Sequence, residues 1–406
     1  MPFCDVGISN NGIKIFYRTY GGGPVKVLMI IGLAGTHDSW KPQIEGLVGT
    51  TQANDDNRSS EDGVYNGNGI EICAFDNRGM GRSSIPKNKS EYTTKIMASD
   101  AISVMNHLGW KKAHVFGHSM GGMIACKLAA VYPDRVVSLA LLNVTGGGYQ
   151  CFPKFDRQSL SIAMRFLRAK TPEQRADVDL DTHYTQEYLE ECIGHKTRRQ
   201  VLYQDYVRGI SATGMQSNHG FDGQINACWT HKISKSELEV IRTQGFLISI
   251  IHGRSDVIAQ ISHARRLAEK LYPQAKMVEL PGGHLVSHER TKEVNEALMD
   301  LIKASETFTS PYDWTNLLPK SSSKLLYAIS FREEDNELII EYTVFFLSSG
   351  CWKSFSRLNS EAESSGFTEK MRVAVLYILG LFLVAFEVIK RVVGRLKPVR
   401  VGTALT

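Results

Sequence analysis

Val115-Phe116-Gly117-His118-Ser119-Met120-Gly121-Gly122 carries the pattern G-x-S-x-G between the strand-like run Ala113 to Phe116 and the helix-like run Met120 to Tyr132. A serine on so tight a bend is lifted above the strand end, at a cost in backbone strain. Gly117 and Gly121 stand two positions to either side, where lack of a side chain lets strand and helix approach. The helix that follows points its first N–H groups, and the positive end of its dipole, at any oxygen that gains charge beside Ser119. The bare pattern is common. With a strand before it and a helix after it, it marks an exposed nucleophile.

On both sides of this turn strand-like and helix-like segments alternate, which predicts an α/β fold with a mostly parallel central sheet and flanking helices. Asn10-Asn11-Gly12 is a hairpin signal opening the arm Gly12 to Tyr20. Val25 to Ile31 is apolar except for Lys26, as expected of a strand covered on both faces. Further strands are expected at Glu71 to Asp76, Val136 to Asn143, Phe246 to His252 and Lys276 to Leu280, and helices at Thr93 to Leu108, Ser262 to Leu271 and Thr291 to Ala304. Thr51 to Gly69, rich in Asn, Asp, Ser and Gly, reads as a surface loop. Between Thr145 and Gln244 the alternation gives way to helix-like, aromatic-rich stretches. Residues 145–244 are expected to form a helical cap or lid insertion. Phe166, Tyr203, Tyr206 and Trp229 are candidates for its inner face, and core packing explains such residues equally well.

A nucleophilic serine needs a base, and the base needs an orienting carboxylate. Among twelve histidines, His284 stands in Pro281-Gly282-Gly283-His284, just past the strand ending at Leu280. His288 falls in helix-like sequence and reads as a surface or cap residue. His118 adjoins Ser119, but neighbours on a tight turn point apart, so it reads as a packing or pocket residue. Asp256 follows the strand Phe246 to His252 through Gly253-Arg254-Ser255, whereas the rival position after Val136 to Leu142 holds Asn143, which cannot ionise. Ser119, Asp256 and His284 are therefore the expected triad. Two N–H donors should face the developing oxyanion, those of Met120 and of Leu33 in Gly32-Leu33-Ala34-Gly35. The expected chemistry needs no metal and no organic cofactor.

The order Ser119, Asp256, His284, together with Asp76-Asn77-Arg78-Gly79-Met80-Gly81-Arg82-Ser83, resembles the α/β-hydrolase superfamily, whose members carry a D-x-R-G-x-G-x-S segment. The resemblance covers Gly7 to Ser305 and is greatest to the lactonase, esterase and aminoacrylate-hydrolase-like branch with a helical cap. It implies a hydrolase domain over 1–305 and an acyl-enzyme on Ser119, with a carboxylic ester, thioester or lactone as small-molecule substrate. Haloalkane dehalogenases and soluble epoxide hydrolases of this fold place aspartate at the elbow, so Ser119 points to acyl chemistry. One departure concerns Ile31-Gly32, where the family usually has His-Gly, so a side-chain bond bracing the oxyanion loop is missing. The other function this scaffold hosts is a small-molecule receptor with slow or no turnover, because plant hormone receptors of the superfamily keep the triad.

The formal net charge of +5 is local: from Lys370 onward seven basic residues face Glu387 alone. The near-neutral body offers no electrostatic footprint for nucleic acid. Seven scattered cysteines without a CxxC pair read as free thiols in a reducing compartment. Met-Pro-Phe-Cys-Asp at the start shows no secretory pattern. Residues 306–369 read as a linker or small add-on with strand-like runs at Leu325 to Phe331 and Leu338 to Leu347. Within 370–406, Val373 to Phe386 is fourteen uncharged residues, and apolar character continues past Glu387 to Ile389. A span needs roughly twenty, and flanking Lys and Arg extend the reach by snorkelling. A membrane anchor over 373–389 beneath a cytosol-facing catalytic domain is the expectation, and an interfacial or buried helix is the alternative.

Overall fold

The computed structural model describes residues 2–7, 12–56, 69–154, 156–213 and 216–316, and the backbone of 325–334 and 337–346. The chain forms two compact units, 1–317 and 318–406. In the first, β1 (Phe3–Val6) and β2 (Ile13–Gly21) make an antiparallel hairpin, followed by β3 (Val25–Ile30), β4 (Ile70–Phe75), β5 (Ala113–His118) and β6 (Val136–Leu142). A helical cap comes next, containing the short ladder β7 (Cys192–Ile193) with β8 (Lys196–Thr197). β9 (Leu247–Gly253) and β10 (Ala275–Leu280) complete an eight-stranded sheet of order β1-β2-β4-β3-β5-β6-β9-β10. Only the pairings of β2 with β1 and β4 are antiparallel; from β4 to β10 the neighbours run parallel.

Parallel strands buried on both faces explain the near-continuous apolar runs. Successive side chains point to opposite faces. Leu28 and Ile30 of β3 enter one core with Met105 of α2 (Thr94–His107), Ile124 of α3 (Met120–Val131) and Ala264 of α10 (Ile261–Lys270). Val27 and Met29 enter the other with Ile44 and Leu47 of α1 (Lys41–Val48) and Leu298 and Leu301 of α12 (Thr291–Glu306). Each such Val, Leu, Ile or Met side chain contributes roughly 1.5–3 kcal/mol on burial. Together they make the sheet the rigid base of everything at its edge.

Among the described residues, six helices form the cap: α4 (Arg157–Arg168), α5 (Pro172–His183), α6 (Gln186–Glu190), α7 (Arg198–Thr213), α8 (Asn218–Thr230) and α9 (Lys235–Thr243). Their starts are written locally. Asp156, Thr171, Thr185, Ser217 and Ser234 each accept a first-turn N–H, with Pro172 opening α5 and Glu237 closing a capping box on α9.

The compact unit runs past the expected end at Ser305. After the short α11 (Val286–Glu289) and α12, a further helix, α13 (Pro311–Asn316), sets Trp314 into the second core, and its indole N–H donates to the Ile248 carbonyl at 2.9 Å. In the second unit β11 (Leu325–Glu334) and β12 (Glu337–Phe346) pair antiparallel from Leu325↔Phe346 to Glu334↔Glu337, on the two expected strand-like runs. The proposed anchor 373–389 and residues 57–68 of the Asn-rich loop lie outside the described residues. Among the described residues no helix is long and apolar enough to cross a membrane.

Trp314 gives a test of where the first unit ends. Trp314→Ala should lower the unfolding free energy by about 3–5 kcal/mol, read as a shift of the urea midpoint; an unchanged midpoint would place α13 outside the cooperative unit.

Candidate active site

Ser119 follows β5 with φ 54° and ψ −119°, a conformation that costs a non-glycine residue about 1–3 kcal/mol. Its N–H donates to the Leu142 carbonyl at 2.8 Å, which ties the turn to β6. Although Ser119 is the N-cap of α3, its hydroxyl makes no capping bond. Oγ lies instead 3.0 Å from His284 Nε2. A Cβ at Gly117 would run into the Gly121 carbonyl, and one at Gly121 into the Ile30 carbonyl. Both positions admit only glycine.

His284, in the turn after β10, directs Nδ1 at Asp256 Oδ2 over 2.8 Å. Asp256, after β9, is fully engaged. Oδ1 accepts the N–H groups of Ile258 and Ala259 at 2.8 Å each, and Oδ2 also accepts Asn143 Nδ2 at 2.7 Å. Burial pushes this carboxyl up, but the His284 charge and hydrogen bond, with His252 and Asn143, outweigh it and hold it at about 2. An ionised Asp256 fixes the imidazole with its proton on Nδ1, so that Nε2 accepts from the Ser119 hydroxyl. Asn143, set aside as an acid because it cannot ionise, is one of the groups that donate to the acid. That role leaves no pattern in the sequence.

The His284 ring lies between two other imidazoles. His118 meets it edge-on with centroids 4.9 Å apart, and His183 at the end of α5 stacks at 6.3 Å. His118 Nε2–H donates to the His284 carbonyl at 2.8 Å, so the expected packing residue is also a brace. Burial, then the His284 charge, lower His118 to about 3, and burial carries His183 well below its ordinary value. A polar chain continues into the cap: His183 Nδ1 to Tyr206 OH at 3.2 Å, Tyr206 to Tyr184 at 3.4 Å, and Tyr184 to His288 Nδ1 at 3.1 Å. His288 Nε2 donates to the Ser39 carbonyl at 2.9 Å. The expectation that His288 is a surface or cap residue is corrected here: α11 wedges it between cap and sheet domain. Buried Glu289 adds a second tie, accepting from Gly283 N–H at 2.7 Å and from the Thr185 hydroxyl at 2.7 Å.

On the opposite side of Ser119, a Cβ at Gly32 would come within 3.0 Å of the Ser119 Cβ, so the loop after β3 lies directly against the serine. The N–H groups of Leu33 and of Met120, first residue of α3, donate to no acceptor among the described residues. The brace lost with Ile31-Gly32 is supplied from elsewhere. Asn77 Nδ2 donates to the Ile31 carbonyl at 2.7 Å, and Gln224 of α8 accepts the Ala34 N–H at 2.9 Å while donating to the Arg78 carbonyl. The segment Asp76 to Ser83 is thereby a strut: Arg78 forks onto buried Asp100 at 2.6 and 2.7 Å, and the Ser83 hydroxyl closes the turn on the Asp76 carbonyl at 2.6 Å. Of the cap aromatics, Tyr206 faces His183 and Tyr203 packs within the cap. Phe166 stacks on Phe221, and Trp229 is half exposed against Phe152.

The buried histidines predict the acid limb of stability. Between 6.5 and about 3 the unfolded chain binds a proton at His118 that the folded chain does not. Its contribution is therefore complete above 6.5 and is lost as pH falls from there. Asp256 acts lower, stabilising above its ordinary 3.8 and ceasing to do so as pH falls through about 2. Urea midpoints between pH 7 and pH 4.5 should fall for the wild type. In His118→Gln, which retains a donor, the slope should be shallower by up to about 1.4 kcal/mol per pH unit; an unchanged slope would mean that His118 titrates normally in the folded protein.

The family model for the alpha/beta hydrolase fold matches residues 26–291. RutD of Caulobacter vibrioides, named a carbamate hydrolase, is 27% identical over 295 residues, covering 72% of this chain and 96% of its own. An enol-lactonase from Burkholderia xenovorans LB400 superposes with a TM-score of 0.56 at 22% identity, covering 74% of this chain and all of its own. An esterase from Exiguobacterium antarcticum does so with a TM-score of 0.56 at 18% identity, covering 74% of this chain and 98% of its own. The last two likenesses concern the fold alone. With the family model spanning the parallel strands, the cap and the turns that carry Ser119, Asp256 and His284, the chain belongs to the alpha/beta hydrolase fold family.

Proposed function

We propose that the protein is a serine hydrolase that cleaves a carboxylic ester, thioester or lactone through an acyl-enzyme on Ser119. The observation that carries this reading is the unbroken chain from Ser119 Oγ through the His284 ring to a buried, ionised Asp256. The relative named a carbamate hydrolase supports attack on an acyl carbonyl. In the first step Ser119 Oγ bonds to the carbonyl carbon as its proton passes to His284 Nε2. The carbonyl oxygen takes the negative charge, facing the N–H groups of Leu33 and Met120, each worth roughly 3 kcal/mol in comparable sites. Collapse expels the alcohol, thiol or ring oxygen, which leaves with the proton from His284. Water, deprotonated by the same imidazole, then releases the acid and restores Ser119. The basic-flanked apolar run 373–389 supports a C-terminal membrane anchor beside a cytosol-facing catalytic domain.

A fluorophosphonate probe should label the wild type and leave Ser119→Ala unlabelled. Asp256→Asn should retain the fold and lower kcat on a reactive short-chain ester by about 10⁴-fold. A folded wild type that takes no label and turns over no ester or lactone would move the weight to a ligand receptor on this scaffold.

A further inference from the structure

The cap turns two apolar rows toward solvent. On α4, Leu160, Met164 and Leu167 are between 41% and 58% exposed and spaced i, i+4, i+7, so they share one face. The other side of α4 is engaged, with Ser159 buried and Phe166 stacked on Phe221 of α8 at 6.1 Å. On α8, Ile225 and Trp229 are exposed one turn apart, and the Trp229 ring meets exposed Phe152 at 5.2 Å. Phe166–Phe221 holds α4 beside α8, and Phe152–Trp229 brings exposed residues of the two segments together. A folded domain rarely leaves such a face to water without a partner for it.

Charge decides which partner fits. From Lys154 to Lys170 the chain has five basic residues and one acidic residue, Asp156, which caps α4. Arg165 is paired with Asp177 and Asp181, while Lys154, Arg157, Arg168 and Lys170 enter no ion pair among the described residues. The apolar tail of this chain, with seven basic residues against one acidic from Lys370 on, would set like charge on like. A second copy facing the same surface would do the same, because a two-fold contact sets the same net-basic patch of both copies together. An anionic bilayer meets both demands, accepting the apolar row and attracting the basic flank.

We propose that this face of the cap docks on an anionic lipid surface and that the substrate of Ser119 is an amphiphilic ester drawn from that surface. The substrate half rests on the hydrolase reading above; the docking half does not. The structure also supplies a route from one to the other. Ile225 and Trp229 lie on the outer side of α8, while Gln224 on its inner side holds the Ala34 N–H of the loop against Ser119. The helix that would rest on lipid is the one that braces the oxyanion loop.

Full-length Ser119→Ala protein, which cannot consume lipid, is mixed with phosphatidylcholine vesicles carrying brominated chains, with and without phosphatidylserine, and tryptophan emission is read. Quenching is expected only with phosphatidylserine, and should be absent both in Trp229→Phe and in the triple variant Leu160→Asp, Met164→Asp, Leu167→Asp. Vesicle binding without quenching of Trp229 would mean that the tail alone binds, and would overturn the docking half. So would quenching that survives in the triple variant, or a concentration-dependent dimer in sedimentation that the variant abolishes. With Ser119 restored, the triple variant should match the wild type on a soluble short-chain ester and fall at least about tenfold on a long-chain ester carried in phosphatidylserine vesicles. Equal loss on both substrates would overturn the substrate half. A wild type that docks yet hydrolyses neither ester would refute the hydrolase reading and leave the docking result standing.

Discussion

Ser119 is held at φ 54° because three neighbours leave it nowhere else to go. Its N–H is fixed to Leu142, Gly121 lies against the Ile30 carbonyl, and α3 begins at the next residue. The strain, about 1–3 kcal/mol, is borne by α3, whose residues from Met120 to Ala129 are all buried against the sheet. Several large apolar side chains at roughly 1.5–3 kcal/mol each exceed that strain comfortably. The serine hydroxyl is thereby withheld from its usual work of capping the helix and left to meet His284.

The other groups at this edge of the sheet are arranged so that one of them changes charge and the rest do not. Asp256 has four donors before any substrate arrives, so its ionised state is stabilised within the fold. The two imidazoles packed on His284 are kept neutral by burial. Had either been charged, it would oppose the imidazolium that the proposed reaction forms between them. Nearness of three histidines is thus compatible with a single proton acceptor in the proposed reaction.

What could be read from the chain was whatever depends on neighbours in sequence. The strand–turn–helix around Ser119 and the apolar run of β3 are local patterns, and Gly282-Gly283-His284 directly follows its strand. The loss of His before Gly32 was equally visible, but its replacement was not, because Asn77 reaches Ile31 from forty-six residues away and Gln224 reaches Ala34 from a hundred and ninety. Asn143, His183 and Glu289 escaped for the same reason: each acts through a partner placed by the sheet or the cap. Trp314 looked like part of a linker, since nothing around it in sequence announces a socket beneath Ile248. Trp229, named for the inner face of the cap, looks outward; an aromatic residue shows its appetite for burial but not the side of the helix that will satisfy it.

The cap is therefore more than a cover. It is fastened to the base side of the site, where the His183 carbonyl takes the Leu285 N–H and Glu289 joins Thr185 to Gly283. It is fastened again to the oxyanion side, where Gln224 holds Ala34 and Gln216 donates to Gly79. These ties are polar and directional, with ranges of about 3 Å, so a shift of the cap by a fraction of that distance loosens them. The outward face of α4 is apolar and basic-flanked, the sort that finds its place by attraction to an extended surface rather than by matched contacts. A domain joined inward by short hydrogen bonds and outward by a diffuse force responds to where the protein is as well as to what it binds. The two halves of the site, base and oxyanion loop, share the cap as their common support, so any such response reaches both together.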